Sequence, residues 1–105
     1  MEINKVIEDK CATVALSGRL DTLTSPQLEE ALRDLPADIT KLVIDLKDLE
    51  YVSSAGLRVF LNAQKSMMEK GEMCLRHVNE EIMEVLDMTG FTQILTIENE
   101  AETQA

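Results

Sequence analysis

The chain predicts a small, single-domain α/β fold in which a mixed β-sheet is layered with helices in the order β-β-α-β-α-β-α-β. Three observations lead there: paired alternating runs around a polar tripeptide, an apolar run at 42–46 without alternation, and amphipathic stretches interleaved with strand-like ones. At 105 residues and 45% hydrophobic, the chain can bury one core and is too short for two. Residues 1–98 are expected to form the domain, and the polar stretch 99–105 a fraying tail.

Residues 2–8 and 11–17 read as strands joined in a hairpin across Glu8-Asp9-Lys10. In the second, Ala12, Val14 and Leu16 alternate with Cys11, Thr13 and Ala15. After Gly18 the chain turns polar, and Ser25-Pro26 offers a cap and a first-position proline for a helix with Leu28, Ala31, Leu32 and Leu35 on one face. Leu42-Val43-Ile44-Asp45-Leu46 suits a central strand covered on both sides. A loop over Lys47–Ser53 then leads into a helix over 54–70. Gly56, Leu57, Phe60, Leu61, Ala63, Met67 and Met68 gather on one side of that helix, with Arg58, Asn62, Lys65, Ser66 and Glu69 on the other. Gln64 falls in the apolar arc, where its amide needs a partner or an outlet to water. Gly71 ends the helix, and Met73–Val78 supplies a strand. Asn79 can cap a third helix carrying Ile82, Val85, Leu86 and Thr89, stopped by Gly90, before a last strand over Ile94–Ile97. Helices lying between parallel strands would be right-handed crossovers.

Composition narrows the chemistry. Twenty acidic against ten basic residues give a formal charge of −10, which repels nucleic acid and anionic lipid. No segment reaches the roughly 20 apolar residues of a membrane helix, and the N-terminus lacks the pattern of a secretion signal, so the chain reads as cytoplasmic. With only three aromatics, the core relies on aliphatic side chains and on six adaptable methionines. Cys11 and Cys74 sit in strand-like runs without a CxxC pair and read as buried free thiols. His77 is the only histidine and reads as structural, while Asp21, Asp45, Asp48 and Asp87 form no metal-binding spacing. There is no glycine-rich phosphate loop and no nucleophile with a base, so neither an enzyme nor a cofactor is expected.

What stands out is Tyr51-Val52-Ser53-Ser54-Ala55-Gly56-Leu57, two hydroxyls at a helix start beyond the carboxyl end of a strand, where sites of open α/β sheets gather. N–H groups of a first helical turn lack intrahelical partners, and the helix dipole favours negative charge there. Ser53 or Ser54 can therefore cap the helix or carry a phosphate switch. Ala55 and Gly56 add little bulk, which serves either tight packing on the sheet or close approach by a partner.

Gly18-Arg19-Leu20-Asp21, the strand Leu42–Leu46 with its Asp-Leu ending, Val52-Ser53-Ser54-Ala55-Gly56-Leu57 and Thr89-Gly90-Phe91 together resemble the STAS domain of bacterial anti-sigma factor antagonists, over about residues 2–98. The resemblance implies a phosphorylation-controlled binding module that sequesters an anti-sigma factor, itself a serine kinase, and so releases a sigma factor. Ser54 aligns with the family's phosphorylated serine. Ser53 stands where the commonest motif has Asp, and is the alternative acceptor. The implied partner surface comprises Asp21, Ser53, Ser54, Gly56 and Arg58. A phosphatase would reset the switch, the chain would act as a monomer, and no metal is implied. The alternative is a STAS scaffold in another bacterial signalling complex that does not act on a sigma factor.

Overall fold

The computed structural model describes residues 1–98. Strands β1 (Glu2–Glu8) and β2 (Cys11–Leu20) precede helix α1 (Ser25–Arg33), β3 (Lys41–Val52) and α2 (Ser54–Met67). Then come β4 (Glu72–Arg76), α3 (Glu80–Met88), a 3₁₀ turn at Phe91–Gln93 and β5 (Ile97–Glu98). The strands lie in sequential order in one five-stranded sheet, β1 antiparallel to β2 and every other neighbouring pair parallel. The anticipated mixed layered architecture is thus the observed one. The expected tail, 99–105, lies outside the described residues.

Local chemistry explains the elements. Asp9 takes a left-handed conformation, φ 55°, in the two-residue turn that pairs Glu8 with Cys11, as a short polar side chain tolerates. Alternation along β2 and β3 sends Ala12, Val14, Leu16, Leu42 and Ile44 to one face, where they join Leu28, Leu57, Phe60, Met67, Ile82 and Leu86 in one core. Thr13, Ala15, Val43, Asp45, Cys74 and Arg76 alternate to the opposite face. Asn79 both caps α3, its Oδ1 accepting from Ile82 N at 2.8 Å, and donates from Nδ2 to the Leu49 carbonyl at 2.9 Å. Helix α3 is thereby fixed to the end of β3.

Several boundaries differ from expectation. The anticipated loop over Lys47–Ser53 is strand as far as Val52, with Leu46, Leu49 and Val52 buried at three-residue spacing rather than in alternation. The irregularity is absorbed by register shifts against β2 between Ala15 and Ser17 and between Gly18 and Arg19. β2 correspondingly runs on to Leu20 instead of stopping near Ser17. Helix α2 ends at Met67, and Met68 is exposed rather than in the core. β4 stops at Arg76, because His77 turns into the left-handed region at φ 58°. The run 94–97 is mostly not strand: Leu95 is buried in the bend that follows the 3₁₀ turn, and only Ile97 and Glu98 pair with β4. Ser25 is the first residue of α1 and not its cap, which is Thr24, and Pro26 follows it. Gln64 Oε1 is buried without a hydrogen-bond partner among the described residues.

Candidate functional site

The carboxyl ends of β2 and β3 lie side by side, and both chains turn there into helices. The Leu20 carbonyl accepts from Ser53 N at 2.9 Å, which ties the end of β2 to the start of α2. Ser53 is the N-cap of α2, extended at φ −96°, ψ 175°, with Oγ accepting from Gly56 N at 3.4 Å and its carbonyl from Leu57 N at 2.9 Å. Ser54 is the first helical residue and is exposed, and its hydroxyl bonds to nothing among the described residues. The two serines therefore have unequal tasks, one hydroxyl occupied by capping and the other open to solvent. No acidic residue occupies the first turn of α2, although the chain carries twenty.

Gly56 is buried against the sheet. A Cβ built there would lie 2.7 Å from Leu20 Cγ and 2.9 Å from Val52 Cγ2, so its missing side chain serves close helix-to-sheet packing. Of the two uses expected of Gly56, close packing is the one these distances describe. Arg58, one turn beyond Ser54, is exposed. With Ala55, Val59 and Asn62 it faces Thr22, Ser25 and Pro26 across a cleft of about 160 Å³.

Asp21 shapes the opposing turn. Its Oδ1 accepts from Leu23 N at 3.0 Å and from Thr24 N at 3.1 Å. The Thr24 hydroxyl accepts from Asp21 N and donates to the Arg19 carbonyl, both at 2.8 Å, and Ser25 Oγ donates to the Asp21 carbonyl at 2.6 Å. The Thr24 N–H holds the Asp21 carboxyl below its ordinary 3.8, against the opposing effect of desolvation, helped by the Thr24 hydroxyl, the Leu23 N–H and the charge of Arg19. A depressed carboxylate contributes stability above its unfolded pKa, about 4, and loses that contribution as pH falls through its lower folded value. Asp21→Asn is accordingly expected to melt below the wild type at neutral pH, with the gap closing below about pH 4, as thermal melts across pH would record.

Turn 21–24 also places Leu23, which sequence reasoning passed over, in solvent at 87% exposure. The available signal was an apolar residue inside a polar stretch and outside the helical stripe of α1. On the adjoining strand ends, the Arg19 guanidinium stands 4.3 Å from the Tyr51 ring centroid.

Other sequence-flagged groups lie elsewhere. His77 Nδ1 is 3.0 Å from Asp45 Oδ1, which also accepts from Lys47 N at 3.0 Å. Asp48 and Asp87 are exposed. Cys74 is buried and Cys11 only half-buried, and both thiols are free. Burial, then the Glu98 carboxylate, pushes the Cys74 thiol up to about 11. Among the described residues no His, Cys, Asp and Glu group is arranged to hold a metal, and no helix is long and apolar enough to cross a membrane. A larger cleft, about 370 Å³, runs between the C-terminal halves of α1 and α2 over Ile39, Leu42 and Met67, apart from the serines.

Comparison with known proteins identifies the family and the fold. The "Anti-sigma-B factor antagonist" of Staphylococcus aureus is 26% identical over 106 residues, covering 99% of this chain and 98% of the relative. BtrV of Bordetella bronchiseptica is 33% identical over 102 residues, covering 92% and 85%. Among solved structures, an anti-sigma factor antagonist from Mycobacterium paratuberculosis superposes with a TM-score of 0.79 at 24% identity, over 91% of this chain and 85% of that one. The Bacillus cell fate determinant SpoIIAA in its phosphorylated form shares the fold with a TM-score of 0.72 at 15% identity, over 97% and 96%. The STAS domain family model matches residues 2–103, and the chain belongs to the STAS domain family.

Proposed function

We propose that this chain is an anti-sigma factor antagonist, a binding module that captures an anti-sigma factor and thereby frees a sigma factor. The observation that carries the switch is the division of labour between the serines: Ser53 is engaged as the cap of α2, while Ser54 offers an exposed hydroxyl at the helix N-terminus. The anti-sigma factor is a serine kinase that brings its own ATP and phosphorylates Ser54, and a phosphatase resets the site. Asp21, Ser53, Ser54 and Arg58 form the partner surface, with Gly56 holding α2 against the sheet beneath it. The protein acts in the cytoplasm as a monomer, performing no catalysis itself. The names of its antagonist relatives and the placement of the site at adjacent strand ends support this reading.

The test is incubation of the chain with ATP and a serine-kinase anti-sigma factor encoded beside it, followed by phosphopeptide mass spectrometry and a binding titration. The expected result is a single mark on Ser54 and a complex that forms only without it. A mark on Ser53 alone would overturn the assignment of Ser54. Binding to a different signalling protein, with none to the kinase, would replace the antagonist reading by that of a scaffold, an outcome that the neutral Ser53 at the usual Asp position keeps in view.

A further inference from the structure

We infer that Arg58 receives the phosphate of Ser54 on the chain's own helix, forming an ion pair between residues four apart. Modification then adds negative charge to the partner surface and also occupies the cation which that surface presents. The inference rests on the reading of Ser54 as the phosphorylated residue. Ser54 and Arg58 are both exposed on α2, whereas Gly56, Leu57, Val59 and Phe60 turn to the core. Side chains at positions i and i+4 of a helix stand about 5–6 Å apart at Cβ, so a phosphate on Ser54 and the Arg58 guanidinium are within reach of one another. Their order also suits the pair, since an anion N-terminal to a cation at this spacing is the more stabilising arrangement. A phosphate presents three oxygens, and the planar fork of a guanidinium binds two of them at once.

The surroundings leave Arg58 to this task. It has no hydrogen bond or ion pair among the described residues, and no acidic residue lies in the first turn of α2. Glu29 of α1 borders the same cleft as Arg58 but is engaged with Arg33 at 3.8 Å. The Asp21 carboxylate is bonded inside its own turn by Leu23 N, Thr24 N and the Thr24 hydroxyl. Asp48 and Glu50 of β3 border a separate cleft with Lys47, Asn79 and Glu81. The cation at the end of β2, Arg19, stands over the Tyr51 ring instead. Before modification Arg58 is therefore a cation that the chain offers outward, and afterwards it is held by the phosphate. One guanidinium balances only part of a charge of about −1.5 to −2, so negative charge also remains at the contact.

The experiment reads the phosphate itself. Phosphoserine is installed at position 54 of the full chain during translation, so that no kinase is needed, and its second ionisation is followed by phosphorus NMR across pH. That ionisation lies at about pH 6 for an unperturbed phosphoserine. A guanidinium in contact favours the dianion, so the group should titrate about half a pH unit lower in the otherwise unsubstituted chain than in Arg58→Gln, with the gap narrowing in about 1 M salt. Arg58→Lys, which keeps the charge without the fork, should fall between the two. Lys65→Gln removes an exposed cation two turns further along α2 and should titrate with the unsubstituted chain. Without phosphate, Arg58→Gln should melt with the wild type, because the pair exists only after modification. If the phosphate titrates at the same pH in the unsubstituted chain and in Arg58→Gln, or if Lys65→Gln moves it as far, Arg58 does not hold it and the inference is wrong while the antagonist reading stands. A neighbouring serine kinase that neither marks Ser54 nor binds the unmodified chain overturns the antagonist reading whatever the phosphorus titration shows, and the regulatory role of Arg58 falls with it.

Discussion

Ser54→Asp is expected to bind a cognate anti-sigma kinase on the order of a hundredfold more weakly than wild type, whereas Ser54→Ala should bind as wild type does. The effect is local. A phosphate adds about −1.5 to −2 charges at pH 7, a small change in the long-range field of a chain already at −10. Within an interface the same charge must be stripped of water at a surface with no partner prepared for it, and that cost dominates. The fold itself should not suffer. Ser54 is the first residue of α2, where the helix dipole favours negative charge by about 0.3–1 kcal/mol. Calorimetric titration alongside thermal melts separates the two effects: affinity drops while the melting temperature holds or rises slightly. Equal binding by Ser54→Ala and Ser54→Asp would sink the switch.

The second large effect falls on stability. Gly56→Val should lose about 3 kcal/mol, roughly 15 °C in melting temperature for a domain of this size. A Cβ there already meets Leu20 Cγ at 2.7 Å, Leu20 Cδ2 at 2.8 Å and Val52 Cγ2 at 2.9 Å, and those two side chains are buried with little room to retreat. Ala in place of Gly gains up to about 1 kcal/mol of helix propensity, yet Gly56→Ala should still melt below wild type, because overpacking typically costs 1–3 kcal/mol. Relief of the clash requires α2 to lift from the end of the sheet, carrying Ser54 with it. Circular dichroism melts of the two variants check the order wild type, Ala, Val. A Gly56→Ala variant more stable than wild type would show that the helix packs less closely than these distances require.

Much of the architecture was written in local pattern. Alternation in β2, the continuous apolar run 42–46, the stripes of α1, α2 and α3, and the caps Asn79 and Gly90 each reflect side chains that must meet the core or satisfy a helix end, and those demands are local. The serine pair at a helix start was legible for the same reason. Where pattern misled, a nonlocal contact was responsible. Leu49 and Val52 break alternation, and only pairing with a β2 that itself shifts register makes 47–52 a strand. Residues 94–96 have strand-like composition, but Leu95 packs into the core from the bend after the 3₁₀ turn instead of from a ladder.

At the site the same division holds. Residue type and spacing were enough to place two hydroxyls and a small-residue step beyond the carboxyl end of a strand, and the family resemblance set the Asp21 turn at the same end of the sheet. They could not say which serine caps, because that depends on Ser53 N reaching the Leu20 carbonyl on a neighbouring strand. Nor could they choose between packing and access for Gly56, which turns on two side chains from different strands. Leu23 is a further case: its residue type suits a core, and the folded chain, having filled its core with Leu20 and Leu28, leaves it in solvent. Local sequence sets what each residue can do, while burial and cross-strand geometry, which are properties of the whole chain, select what it does.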